Sequence, residues 1–186
     1  MDQELQVVHE SMIRTQSDHA NTELVQELTE NTVTGGVSMI NRALAQLWTG
    51  KEEHELLMHD WYLGLLAAAF GNLVYIDKPG ELYRQHSNNV LGARTLRKRV
   101  KNWVRPHVLF TKYWKLIKDS QTQARNLLVL PLTAENRELI ENFVTIMEVP
   151  FKERWRRIRQ YGYRKNRTFH TLVFTSLILT KFAYKE

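Results

Sequence analysis

The stretch Met58-His59-Asp60-Trp61-Tyr62-Leu63-Gly64-Leu65-Leu66-Ala67-Ala68-Ala69-Phe70-Gly71 decides the fold. Its apolar residues run too long and too densely for a surface strand, and Gly71 is a natural helix stop. Asp60 is placed to cap the segment from Trp61 to Phe70, where a carboxylate accepts hydrogen bonds from the free N–H groups of a first turn. Downstream the pattern changes. Residues 72–76 read as a strand, Asp77-Lys78-Pro79-Gly80 as a turn, and residues 81–86 as a second extended piece, followed by a polar loop to Gly92. Upstream, Thr34-Gly35-Gly36 is a tight turn. Met39, Ile40, Ala43, Leu44, Leu47 and Trp48 then form one helical face, with Ser38 as a possible N-cap and Gly50 as a stop. Residues 1–30 are polar and end in a short helix carrying Leu24, Val25 and Leu28.

Beyond Arg94 the periodicity is helical throughout. Leu96, Val100, Trp103, His107, Phe110, Trp114 and Ile117 recur every three or four residues, with Pro106 starting or kinking a helix that continues through residues 121–130. Pro131 interrupts it, Thr133 caps the next helix, and Pro150 opens another at Phe151. The residues alone thus predict a helix-dominated chain with one short two-stranded β element around residues 72–86.

Composition narrows the chemistry. The 186 residues contain no cysteine, which excludes disulfides, thiolate zinc sites and cysteine nucleophiles. Net charge is divided sharply at Ala93. Residues 1–93 carry 5 Lys/Arg and 13 Asp/Glu, a net of −8, and residues 94–186 carry 21 and 7, a net of +14. That predicts an acidic segment at 1–93 and a basic helical extension at 94–186, the latter suited to anionic partners. Met1 to Glu10 lacks the basic start and apolar core of a secretory leader, so a cytoplasmic location is expected. The longest apolar run, residues 172–179, is far shorter than the roughly 20 residues that span a bilayer.

The groups able to do chemistry concentrate between His59 and His86. His59, Asp60, Arg84 and His86, with Trp61, Tyr62 and Tyr83, bring acid–base, phosphate-binding and metal-binding side chains into one short region. Each also has a structural reading. Asp60 can be a helix cap, His86 a hydrogen-bonded histidine at a strand end, and Arg84 a surface partner of Glu81.

Taken in order, Asn31-Thr32-Val33-Thr34-Gly35-Gly36, Asn41-Arg42, Met58-His59-Asp60-Trp61, Gly71 with Tyr75-Ile76, and Tyr83-Arg84-Gln85-His86 with Asn88-Asn89-Val90 and Gly92 resemble family 2 glycosyltransferases. Within that family they are most similar to bacterial rhamnosyltransferases that build cell-surface polysaccharides. The resemblance covers residues 25–95. It implies an α/β fold of GT-A type, truncated here, with 1–93 forming the C-terminal, acceptor-side half of the catalytic domain. It also implies an inverting transfer from a nucleoside-diphosphate sugar, dTDP-rhamnose for the rhamnosyltransferases, to a glycan or lipid-linked acceptor.

Residue by residue, Asp60 matches the catalytic base, with His59 beside it, and a helix N-terminus favours an ionised carboxylate there. Trp61 and Tyr62 would offer an apolar platform to the acceptor sugar, and Gly35 and Gly36 would let the backbone pass close to the acceptor. Arg84 and Gln85 would lie near the diphosphate. His86 matches a histidine that completes a Mg²⁺ or Mn²⁺ shell. The nucleotide loop and the Asp-x-Asp motif of a complete GT-A domain do not occur. Hence the chain resembles only the C-terminal part of such an enzyme, and transfer by this chain alone is not expected.

In the tail, Phe151, Trp155 and Ile158 lie among eight Lys/Arg between Lys152 and Arg167 (152, 154, 156, 157, 159, 164, 165, 167). This basic amphipathic pattern suits the inner face of a cell membrane, unless the aromatics pack on the domain and the charges only solvate it. Residues 94–105 are also basic, but no nucleic-acid motif accompanies them and no nucleic-acid partner is expected. The alternative to a sugar-transfer portion is a non-catalytic helical module that docks on a membrane or on a partner glycosyltransferase. Apolar faces left by a missing half would favour self-association.

Overall fold

The computed structural model describes residues 6–7, 10–11, 22–48, 56–82 and 106–184. Among them are seven α-helices: α1 (Leu24–Glu27), α2 (Arg42–Trp48), α3 (His59–Phe70), α4 (Pro106–Arg125), α5 (Ala134–Val144), α6 (Phe151–Tyr161) and α7 (Thr168–Thr180). A single 3₁₀ turn spans Gly35–Val37.

The arrangement follows from α3. Its sequence has no polar face, so it must be covered on several sides, and α1, α2 and α4 all pack on it. From α4 the packing proceeds in chain order, α4 on α5, α5 on α6 and α6 on α7. Leu28, Tyr62, Leu65 and Leu66 form one apolar cluster with Ile117 and Leu127, with Ile140 and Phe143, and with Phe174 and Ile178. The acidic and basic segments therefore share a core.

Burying α3 leaves its ends in need of polar partners. Gln123 of α4, itself fully buried, donates to Met58 O at 2.8 Å and accepts from Leu57 N–H at 3.3 Å. At the other end Asn136 of α5 donates to Ala69 O at 2.8 Å. Thr133 accepts the N–H of Asn136 at 3.2 Å, which makes it the N-cap its sequence position implies. Pro150 precedes α6, and Gly162 closes it in the left-handed region at φ 70°.

Several expectations are corrected. The strand predicted at residues 72–76 is absent, and no β ladder occurs among the described residues. Within residues 71–82 Lys78 N–H donates to Ile76 O at 2.8 Å and Tyr75 Oη to Asp77 at 3.0 Å, and Val74, Ile76 and Leu82 are exposed. Alternating apolar residues make a strand only where a second chain segment takes up their backbone groups. The predicted return at 83–86 lies outside the described residues.

Helix α2 begins at Arg42, not at Ser38. Asn41 Oδ1 accepts the Leu44 N–H at 2.9 Å and so supplies the cap, leaving Met39 92% exposed. Helix α4 stops at Arg125 rather than running to Leu130. The chain tightens into i→i−3 turns there, and Arg137 collects the carbonyls of Leu128 and Leu130 at 2.9 and 3.0 Å.

Gln123→Ala would leave two backbone groups at the start of α3 without partners. It is expected to lower the unfolding free energy by about 2–3 kcal/mol, measured by urea denaturation, whereas a change at exposed Val129 should stay within about 0.5 kcal/mol.

Candidate functional site

Asp60 occupies the second position of α3, inside the first turn rather than before it. The N-cap position is Met58, whose side chain forms no cap bond. The carboxylate is nearly buried at 9% exposure. Its Oδ1 accepts from Trp61 N–H at 2.7 Å and from Asn31 Nδ2 at 3.2 Å, while Oδ2, among the described residues, takes only a long bond from Gly35 N–H at 3.4 Å. Asn31 is held in turn, because its Oδ1 accepts the Val33 N–H at 2.9 Å. The 3₁₀ turn after Thr34 is thereby drawn onto the N-terminus of α3.

The two glycines lie in tight places. A Cβ on Gly35 would stand 2.7 Å from His59 Nε2, and one on Gly36 3.2 Å from Glu81 Oε1. Gly35, Gly36, His59 and Asp60 are thus brought together, with Asn31 and Glu81 added. Trp61 and Tyr62 are not available as a sugar platform. They are 4% and 0% exposed; Trp61 Nε1 donates to Glu27 O at 2.7 Å, and the Tyr62 ring packs on Trp48 at 6.1 Å. On α3 these positions follow Asp60 around to the core side, so their rings are spent on packing. Arg84, Gln85 and His86 lie outside the described residues.

Behind the site sits a carboxyl that no sequence pattern singles out. Glu27 is fully buried, accepts from the hydroxyl of Thr32, and accepts from the Thr32 N–H at 3.5 Å. Burial pushes its carboxyl up to about 8, against the lowering effect of the Thr32 bonds. Nothing in Leu24-Val25-Gln26-Glu27 separates this acid from a solvated one, because burial is created by α3 packing over it.

The loop after α6 reaches the same region. Lys165 Nζ donates to Thr29 O, Thr29 Oγ1 donates to Arg164 O at 2.5 Å, and Glu30 Oε2 accepts the Asn166 N–H at 3.0 Å. Burial pulls the Lys165 ammonium down to about 8, opposed by the charge of Glu30.

Among the described residues no three His, Asp or Glu side chains form a group able to hold a metal ion. A cleft of about 280 Å³ between Gln121, Arg125, Glu148, Lys181 and Tyr184 shares no residue with the Asp60 cluster. No described helix is long and apolar enough to cross a membrane. Comparisons with protein-family models, curated proteins and solved structures found no match for the chain.

Two outcomes follow from this packing. A Cβ on Gly64 would lie 2.8 Å from both Glu27 Oε2 and Val33 Cγ2. Gly64→Ala is therefore expected to destabilise: the overpacking cost of about 1–3 kcal/mol exceeds the helix-propensity gain of up to about 1 kcal/mol, and a lowered melting temperature reads the difference.

The second outcome concerns pH. Between pH 4.5 and about 8 folded Glu27 keeps a proton that the unfolded chain has released, so its contribution to stability falls as pH rises. Between about 8 and 10.5 the unfolded chain keeps the Lys165 proton that the folded chain has lost, so that contribution rises. Urea unfolding across this range is expected to show a stability minimum near pH 8, and Glu27→Gln to remove the falling limb.

Proposed function

We propose that the chain is the acceptor-side portion of an inverting family 2 glycosyltransferase in which Asp60 takes the proton of the acceptor hydroxyl. The observation that supports this reading is the convergence of residues 31–35 with residues 59–60 around one carboxylate. Both segments belong to the stretch of residues 25–95 that carries the resemblance to rhamnosyltransferases.

The geometry is compatible with a general base. Oδ1 is occupied by two donors that fix the orientation of the group, and Oδ2, with its single long bond, retains the capacity to accept an incoming hydroxyl proton. As that proton leaves, the acceptor oxygen bonds to the anomeric carbon of the donor sugar from the face opposite the departing nucleoside diphosphate, which inverts the centre. His59, against the backbone of Gly35, borders the same space. The donor in this reading is a nucleoside-diphosphate sugar, dTDP-rhamnose by the resemblance, and the acceptor a growing polysaccharide or lipid-linked glycan. Binding of the nucleotide and of any Mg²⁺ or Mn²⁺ is assigned to a GT-A half lacking from residues 1–186, with Arg84, Gln85 and His86 contributing to the diphosphate side.

Transfer from a panel of nucleotide sugars tests this, comparing the chain alone with the chain joined to a nucleotide-binding GT-A half. Only the joined form is expected to work, and Asp60→Asn to lower its kcat by about 10²–10⁴-fold with an unchanged circular dichroism spectrum. Undiminished transfer by Asp60→Asn would falsify the role given to Asp60.

A further inference from the structure

The two readings of the basic tail separate on which side chains of α6 face inward. Ile158 and Arg154 do. Ile158 joins the core, and the guanidinium of Arg154 donates to Val149 O at 2.7 Å and Leu179 O at 2.9 Å, tying α6 to the end of α7. Two of its three aromatics do not, for Phe151 is 54% and Trp155 45% exposed, while Tyr161 packs against the core. Their spacing of four residues places them on one stripe, which Arg159 extends by stacking over the Trp155 ring at 5.7 Å. Lys152 adjoins it, and neither Lys152 nor Arg159 makes an ion pair among the described residues.

The other arginines of the helix are committed elsewhere. Arg156 and Arg157 both bind Glu153, at 2.6 and 3.0 Å, and their pull holds its carboxyl down at about 2. A dense cationic surface of the kind that tracks a nucleic-acid backbone is therefore not what α6 presents. It presents two exposed aromatics flanked by two cations. No Asp or Glu occurs between Glu153 and Glu186, so neither the rest of α6 nor α7 carries an acid, and α7 also turns Phe169 and Leu172 to solvent.

We propose that the outer face of α6, formed by Phe151, Lys152, Trp155 and Arg159, docks on an anionic lipid bilayer. The aromatic rings enter the headgroup boundary, the two cations meet lipid phosphates, and Glu153, the one acid of α6, is held by Arg156 and Arg157. Nothing in this depends on sugar transfer.

Co-sedimentation of the full chain with vesicles tests it, using phosphatidylcholine alone and phosphatidylcholine mixed with phosphatidylglycerol. Binding is expected only to the mixed vesicles, to weaken with added salt, and to fall roughly tenfold or more in Phe151→Ala/Trp155→Ala and in Lys152→Ala/Arg159→Ala. Both variants alter exposed side chains and should melt with the wild type. Asp60→Asn should bind like the wild type, which keeps this result separate from the fate of the catalytic reading. The proposal is overturned if the wild type stays in the supernatant with mixed vesicles, if it binds neutral vesicles equally well, or if removing both aromatics changes nothing. It is also overturned if that double variant instead abolishes a concentration-dependent dimer, which would make a second copy the occupant of the face.

Discussion

A helix buried on several sides has no water at its ends, and every backbone group it leaves open must be met by the protein itself. This constraint on α3 organises the rest of the molecule. The residues before its first turn are met by Gln123 and its last turn by Asn136, so α4 and α5 are held to α3 by directed bonds as well as by apolar contact. Hydrophobic packing alone would tolerate some sliding between helices; a buried amide bonded to backbone on another element does not.

The same constraint accounts for the site. The first turn of α3 points its free N–H groups at the 3₁₀ turn, and Asp60 answers part of that demand from inside the turn. One oxygen is used for structure and the other is left lightly bonded. The fit of Gly35 against His59 and of Gly64 against Glu27 and Val33 keeps the loop at van der Waals distance from the helix, an approach that any Cβ at these two positions would obstruct.

What could be read from the sequence was whatever depends on near neighbours. The stop at Gly71, the cap at Thr133 and the start after Pro150 are set by a residue and the few that follow it, and each is found in the structure. Where two local signals compete, the reading slips: Ser38 and Asn41 are both good caps, and Asn41 is the one whose side chain reaches the helix. The strand at 72–76 failed because pairing is not a local property. Burial was the least legible, since Trp61 and Tyr62 look like a binding platform only while the helices that cover them are unknown. Glu27 shows the converse, an ordinary acid in sequence that packing turns into a carboxyl with its pKa raised to about 8.

The opposed charges of the two segments meet where the loop after α6 touches the loop after α1. Arg164 lies 3.7 Å from Glu23, Glu30 holds the Asn166 backbone, and Lys165 reaches the carbonyl of Thr29. The exposed Arg164–Glu23 pair adds little by itself. The part-buried bonds matter more, because they fix the chain at Thr29 and Glu30, just before Asn31, and Asn31 is the residue that steadies Asp60. The basic tail is therefore joined to the site through the backbone of residues 29–31. Its loop supports the carboxylate from behind while the aromatic stripe of α6 stays exposed, so one C-terminal segment both braces the candidate site and keeps Phe151 and Trp155 in solvent.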